Sequence, residues 1–245
     1  MTGNRSMGLS IEGVSYAYGD RKALDEIDLA VPTGAFCAIL GPNGAGKSTL
    51  FSLLTRLFVT GKGRIVVAGI DLSANPRAAL ARMGVVFQQP TLDLDLTVYQ
   101  NLSYFAALHG ISGRDARKRI DLSLGWLDME ERAHERARDL NGGHRRRTEI
   151  ARALIHNPKV LLLDEPTVGL DAASRSSITS RVHQFCRDDG LTVLWATHLV
   201  DEVRDKDELA VLHRGKVITR GRADEVAAGR PLADAFLDLT RGQQP

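Results

Sequence analysis

Cysteine is scarce in this chain of 245 residues: Cys37 and Cys186 stand far apart, with no CxxC neighbour. That excludes a disulfide framework and a cysteine-bound zinc. Cys37 lies in the apolar run AFCAIL, where it reads as a small buried residue. Aromatics make up 5% of the sequence, too few for interleaved stacking platforms on single-stranded nucleic acid. No sign of charge dominates. The 32 basic and 30 acidic residues leave +2, so no nucleic-acid partner is expected. Long apolar runs are missing as well. VLLL, Val160 to Leu163, falls far short of the roughly 18 residues a spanning helix needs. The opening MTGNRSMGLS has no apolar leader core, so no secretory signal is expected, and the sparse cysteines fit a reducing cytoplasm. What is present is 43% hydrophobic residues, enough for one α/β domain or a domain with a subdomain.

Patterning along the chain places the elements. LSIEGVSYAY and LDEIDLAVP alternate like strands, with a turn at YGDRK. AFCAIL is a short strand that runs into a Gly-rich loop, and STLFSLLTRL then has helical spacing. GRIVVAGIDL is β-like, and MGVVFQQ is a strand ending in two Gln. From about Thr97 to Arg138 the texture changes. TVYQNLSYFAALHG, RDARKRIDLSLGWLDM and ERAHERARDL read as amphipathic helices, a helical insert in an α/β body. KVLLLDEP and LTVLWATH are buried parallel strands flanking the helix SRSSITSRVHQFCRDDG, which ends at a Gly. ELAVLHRGKVITRG is a hairpin turning at RGK, and mixed helix and a polar tail close the chain.

GPNGAGKST spans Gly41, Pro42, Asn43, Gly44, Ala45, Gly46, Lys47, Ser48 and Thr49 and fits G-x-x-x-x-G-K-[ST]. A strand before it and a helix after it are the context a phosphate-binding loop needs. Glycines let successive N–H groups point inward at phosphate oxygens, and the helix N-terminus adds up to ~2 kcal/mol for an anion. Lys47 reaches the β- and γ-phosphates of ATP, and Ser48 holds Mg²⁺. VLLLDE supplies Asp164, placed to hold Mg²⁺ through water, and Glu165, a general base for an attacking water. The plainer reading of this acidic pair is a turn cap. His198 at the end of LTVLWATH could bond a phosphate and the water, and Gln88 at the end of VVFQ could meet Mg²⁺ or water.

Taken in order, the phosphate loop, VVFQ, the GG-basic helix, LLLDEP, GLD and ATH resemble the nucleotide-binding subunit of ABC transporters over about residues 9–221. The resemblance implies an α/β fold. A P-loop NTPase core with a mixed or parallel sheet would occupy about 9–90 and 155–221, with an N-terminal antiparallel β subdomain. A helical subdomain would be inserted at about 97–154, and a short tail at 222–245. The 52 positions from Gln88 to Leu140 leave room for that insert, where related chromosome-maintenance ATPases place a long coiled coil. By the same resemblance, Tyr18 stacks on adenine, with Tyr16 as the competing choice. Gln88 links nucleotide to a membrane partner, Asp164 and Glu165 are the metal-holding aspartate and catalytic glutamate, Asp171 works across a dimer, and His198 is the switch histidine.

LNGGHRRR occupies the place of the family signature LSGGQ, which meets the ATP held by a second subunit in a head-to-tail dimer. Gly142 and Gly143 would allow close backbone approach there. Asn141 caps a helix about as well as Ser and also carries an N–H donor. His144 would contact ribose or phosphate, or pack. Arg145, Arg146 and Arg147 read as a helix face, part solvated and part paired. LNGGHRRR is also similar to ATPases associated with PQQ-dependent alcohol dehydrogenase systems, and TLDLDLTVYQNL to the ABC-2 exporter type. The implied partners are a multi-spanning permease and a second ATPase subunit, expected to be identical, at the cytoplasmic face of the cell membrane. A non-transport ABC protein, or an ATPase that works a membrane complex without transport, are the alternatives. The 47 residues after His198 leave little room for the C-terminal regulatory domain of sugar importers.

Overall fold

The computed structural model describes residues 6–241, so part of the N-terminal leader reading and the last residues of the polar tail lie outside the described residues. The alternating opening segments form an antiparallel pair, β1 (Met7–Tyr18) and β2 (Arg21–Pro32). AFCAIL gives β3 (Phe36–Leu40), wholly buried, and the loop then enters α1 (Lys47–Leu54). GRIVVAGIDL divides into β4 (Arg64–Val67) and β5 (Ile70–Asp71), followed by α2 (Pro76–Leu80) and β6 (Met83–Val86). A capping box of Thr97 and Gln100 starts α3 (Val98–Leu108); α4 (Gly113–Trp126) and α5 (Gly142–Leu154) follow and pack on it. Then come β7 (Val160–Asp164), α6 (Ala172–Asp189) and β8 (Thr192–Thr197). The hairpin β9 (Glu208–His213) and β10 (Lys216–Arg222) and two helices, α7 (Ala223–Ala227) and α8 (Leu232–Arg241), complete the described chain.

The strands form two sheets. One runs β2-β1-β4-β5 and is antiparallel; the other runs β10-β9-β3-β8-β7-β6, parallel except for β10 at its edge. Period-two alternation gives the larger sheet two apolar faces. Phe36, Ala38, Leu161, Leu163, Val193 and Trp195 face a core shared with α3, α4, α5 and α6. Cys37, Ile39, Val160, Leu162, Leu194 and Ala196 face the other core, shared with α1 and the antiparallel sheet. The strands read as continuous apolar runs because both faces are covered.

One expected helix is absent. ERAHERARDL forms two single 3-10 turns, Glu130–Arg132 and Ala137–Asp139. Its backbone instead bonds the entry to α3: Val98 N donates to Glu135 O at 2.9 Å, Tyr99 N to Ala133 O at 2.8 Å and Ala137 N to Leu96 O at 3.0 Å. The apolar stripe of that segment, Ala133, Ala137 and Leu140, is already buried in this arrangement, so a helix would add little apolar burial. Pairing the backbone with residues 94–99 satisfies its polar groups another way. Among the described residues no helix is long and apolar enough to cross a membrane.

His156 follows α5 and stacks on His109 of the α3 end at 4.0 Å, with rings 8° from parallel. Burial, then the neighbouring His109, pushes its pKa down from 6.5 to about 4, against the opposing pull of its bond to Met83 O. The unfolded chain therefore takes up this proton first. Stability from this group is full above pH 6.5 and is lost as pH falls toward 4. Melting measured across that window should show a fall on the order of 1–2 kcal/mol after allowance for partial exposure, and His156→Phe should remove that part of the slope.

Candidate nucleotide site

The site is built at the C-terminal ends of three adjacent parallel strands. Leu40 ends β3 opposite Thr197, and Asp164 ends β7 opposite Ala196, so their loops leave the sheet side by side. A cleft of about 800 Å³ lies there. Gly41 N donates to Thr197 O at 3.1 Å, which anchors the loop after β3 to the end of β8. A Cβ on Gly41 would sit 2.4 Å from Leu212 O, so only glycine lets the loop pass β9. Gly46 has φ +113, and a Cβ there would meet Leu24 Cδ2 at 2.8 Å and Ala23 O at 3.0 Å. From Gly46 the chain enters α1 with no side-chain cap and no acidic residue in its first turn. Its leading N–H groups remain available to an anion.

Three side chains converge on one carboxylate. Glu165 Oε1 lies 3.1 Å from Lys47 Nζ and 3.4 Å from His198 Nδ1. Gln88 Nε2 donates to Glu165 Oε2 at 3.3 Å. Lys47 also donates to Gly41 O at 2.6 Å and Pro42 O at 3.2 Å. Lys47 is 5% exposed and Glu165 7%, so this contact is shielded from water. Glu165 holds a left-handed backbone at φ 47, fixed by its N–H donating to Ala196 O at 2.9 Å. Such a conformation costs a non-glycine residue about 1–3 kcal/mol and here turns the carboxylate back toward Lys47. Asp164 is buried beside it, and its Oδ1 has no partner. Burial raises its pKa, and the Ser48 hydroxyl chiefly opposes this. Ser48 and the free Asp164 oxygen make an oxygen pair fit for a hard divalent cation. Among the described residues no cluster of three metal-ligating side chains exists, so such an ion would also need water or substrate oxygens.

Of the two candidate tyrosines, Tyr18 lines the cleft and its hydroxyl is 3.3 Å from Thr49 Oγ1. Tyr16 turns away and stacks on Phe58 at 5.3 Å. Asn43, Gly44, Ala45 and Gly46 form the cleft floor with Lys47, Ser48 and Thr49. Asn141, Gly142, Gly143 and His144 are not part of the cleft wall. They form the first turn of α5, where Asn141 Oδ1 accepts from His144 N at 2.8 Å, the cap geometry expected of it. Burial, then Arg132 and Arg147, lowers the His144 pKa. Asp171 caps α6 through Ser174 N and Ser174 Oγ, both at 2.8 Å. Ser174 in turn abuts Gly143, where a Cβ would lie 2.9 Å from its Oγ. The three arginines all donate to protein acceptors. Arg145 bonds Ala137 O, Arg147 bonds Leu127 O and Ser177 Oγ, and Arg146 is buried.

Other residues at the site lie outside the sequence motifs. Arg21 and Lys22 at the start of β2 and Arg214 in the turn between β9 and β10 line the cleft, in stretches that sequence reads only as turns. The backbone explains the approach: Gly215 N donates to Ala45 O and Asp25 N to Gly215 O, each at 2.8 Å. Buried Glu202 accepts from Trp195 Nε1 at 2.9 Å and from Thr167 Oγ1, tying the loop after Glu165 to the loop after His198. Burial raises its pKa. A lone acid in LVDEV gives no signal of that role.

Gly46→Ala should lower stability by about 1–3 kcal/mol in denaturant unfolding, because both the φ and the space refuse a methyl group. The same variant should bind a fluorescent ATP analogue at least about tenfold more weakly. Unchanged affinity would mean that this loop does not cradle phosphate.

Comparison with known proteins agrees with this geometry. The ABC transporter family model matches residues 24–168. The daunorubicin resistance ATP-binding protein DrrA3 of Streptomyces coeruleorubidus is 40% identical over 90% of this chain and 70% of its own length. The Nod factor export ATP-binding protein I of Neorhizobium galegae is 38% identical over 88% of this chain and 62% of its own. The chain thus spans about two thirds of these relatives. Among solved structures, cbiO1 from Clostridium perfringens, part of the ABC transporter complex cbiONQ, superposes with a TM-score of 0.84 at 32% identity, covering 95% of both chains. The dimeric cassette MJ0796, bound to ADP and Pi in a post-hydrolysis state, gives 0.77 at 28% identity, covering 87% of this chain and 98% of that one. This chain belongs to the ABC transporter family, as an ATP-binding ATPase subunit.

Proposed function

We propose that this subunit drives export across a membrane, pairing with a second copy of itself and seated on a multi-spanning permease at the cytoplasmic face. The convergence of Lys47, Gln88 and His198 on Glu165 carries the hydrolytic part of this reading. Similarity to relatives of drug resistance and Nod factor export supports export. The dimeric MJ0796 cassette supports pairing. The core is read as about 9–90 and 155–221, with a helical subdomain at about 97–154 and a tail at 222–245. TLDLDLTVYQNL supports the ABC-2 exporter type, and LNGGHRRR is the support for the subgroup associated with PQQ-dependent alcohol dehydrogenases.

In this reading the loop Gly41 to Thr49 wraps the phosphates, Tyr18 stacks on adenine, and Lys47 turns from Glu165 to the β- and γ-phosphates. Glu165, released from that contact, takes the proton of a water that attacks the γ-phosphorus, while the bond to the β–γ bridging oxygen breaks and ADP and phosphate leave. His198 and Gln88 orient that water. Mg²⁺, held by Ser48, Asp164 and Gln88, would neutralise charge on the phosphate oxygens. The α5 N-terminus at Asn141, Gly142, Gly143 and His144 would close the site of the partner copy, its N–H groups aimed at the γ-phosphate. Asp171 would act across the same interface.

Glu165→Gln should keep ATP affinity, cut turnover by at least about a hundredfold and accumulate an ATP-bound dimer in size-exclusion chromatography. Turnover at the wild-type rate would remove Glu165 from this role. Solubilised from the native host with Mg·ATP, the same variant should retain a multi-spanning membrane protein; recovery of ribosomal or DNA-associated proteins alone would overturn the transport reading. Asn141 separates folding from chemistry. Asn141→Ser and Asn141→Asp should both keep the melting temperature, because all three residues cap helices. Only Asn141→Asp should lose turnover, by repulsion of the γ-phosphate, and equal activity of the two variants would mean that Asn141 meets no phosphate.

A further inference from the structure

Arg146 is buried although it lies in the run Arg145 to Arg147, on an otherwise part-exposed helix start. Its Nη1 donates to Phe87 O at 2.7 Å and to Glu149 Oε2 at 2.7 Å, and its Nη2 donates to Gln88 O at 3.0 Å. Glu149 is 2% exposed, and its other oxygen accepts from Thr91 N at 2.7 Å. One turn further along α5, Arg152 Nη1 donates to Thr91 O at 2.8 Å. Arg146, Glu149 and Arg152 are spaced by three residues and share one face of the helix. That face therefore grips the loop Phe87 to Thr91 at both ends: its first two carbonyls and the amide and carbonyl of its last residue. Gln88 is itself one of the gripped residues, and its side chain reaches Glu165.

We propose that Arg146 and Glu149, assisted by Arg152, are positioning residues that make the Gln88 loop and the Asn141 end of α5 move as one body. The proposal rests on the function proposed above and deepens it. A planar guanidinium suits the task because its fork meets two successive carbonyls and a carboxylate at once. An ion pair this deeply buried is a poor source of net stability. Its geometry does something an apolar pair of the same volume could not: it fixes loop backbone to helix. Any displacement of residues 87–91 is then passed to the helix start at Gly142 and Gly143, and the reverse. With the latch cut, the phosphate loop still binds ATP, while Gln88 and the α5 start no longer arrive together.

The test compares wild type, Arg146→Lys and the double variant Arg146→Met/Glu149→Leu. The double variant removes both buried charges together and so avoids an unpaired one. Folding is followed by thermal melting, turnover by steady-state ATPase assay below the melting range, and the latch by hydrogen exchange at the Thr91 amide. In the double variant kcat per folded molecule should fall about ten- to a hundredfold. KM for ATP should stay within about twofold, and the Thr91 amide should exchange about tenfold faster or more. Arg146→Lys, which keeps the charge and part of the grip, should fall between. A kcat unchanged per folded molecule would overturn the proposal, even with a lower melting temperature, as that is what a purely structural pair gives. Unaltered Thr91 exchange in the double variant would overturn the latch itself. A wild type that binds ATP and never hydrolyses it would overturn the underlying function, and its Thr91 exchange would still report whether the contact exists.

Discussion

A lysine ammonium and a glutamate carboxylate, 3.1 Å apart and almost closed to water, set the terms for the rest of this molecule. Burying each charge costs several kcal/mol, about what their attraction returns, so Lys47 and Glu165 add little to stability. They are held by what surrounds them. The Gly41 and Pro42 carbonyls orient the ammonium. The left-handed backbone of Glu165, tied to β8, orients the carboxylate. A site whose main contact is neutral in stability is one where a third group, such as a phosphate, can take the lysine at small expense.

Strand register makes that contact possible. β3, β8 and β7 are parallel neighbours with Leu40 level with Thr197 and Asp164 level with Ala196. A slip of one residue would exchange the two faces of a strand and bury each side chain in the wrong core. The alternation of Phe36, Ala38 and Leu40 against Cys37 and Ile39 is thus a packing requirement that also levels the ends of the strands. Catalytic geometry is inherited from core packing in this way.

Around that centre, hydrogen bonds connect elements that the chain keeps far apart. Glu202 links the loops that follow Glu165 and His198. Ser174, capped by Asp171, fills the space beside Gly143. Arg146 and Glu149 join α5 to the Gln88 loop. In the proposed function these are the paths by which a γ-phosphate at one surface is felt at another, and the exposed first turn of α5 is the part of the site offered to a second copy.

The sequence by itself determined the local features. GPNGAGKST between a strand and a helix, two buried strands ending in DE and in ATH, and a cap followed by two glycines are short-range patterns with short-range physics. So are the hairpin turn at Arg214 and Gly215 and the cap at Asn141. Tertiary structure decided what depends on partners distant in the chain. ERAHERARDL has helical spacing and becomes a strap, because residues 94–99 bond its backbone while Ala133, Ala137 and Leu140 are still buried. Tyr18 and Tyr16 are equivalent in sequence; Phe58 stacks face to face on Tyr16 and meets Tyr18 only edge-on, and it is Tyr18 that lines the cleft. Arg146 reads as one of three like neighbours, and becomes the buried one because its position on α5 faces the carbonyls of Phe87 and Gln88, some sixty residues earlier.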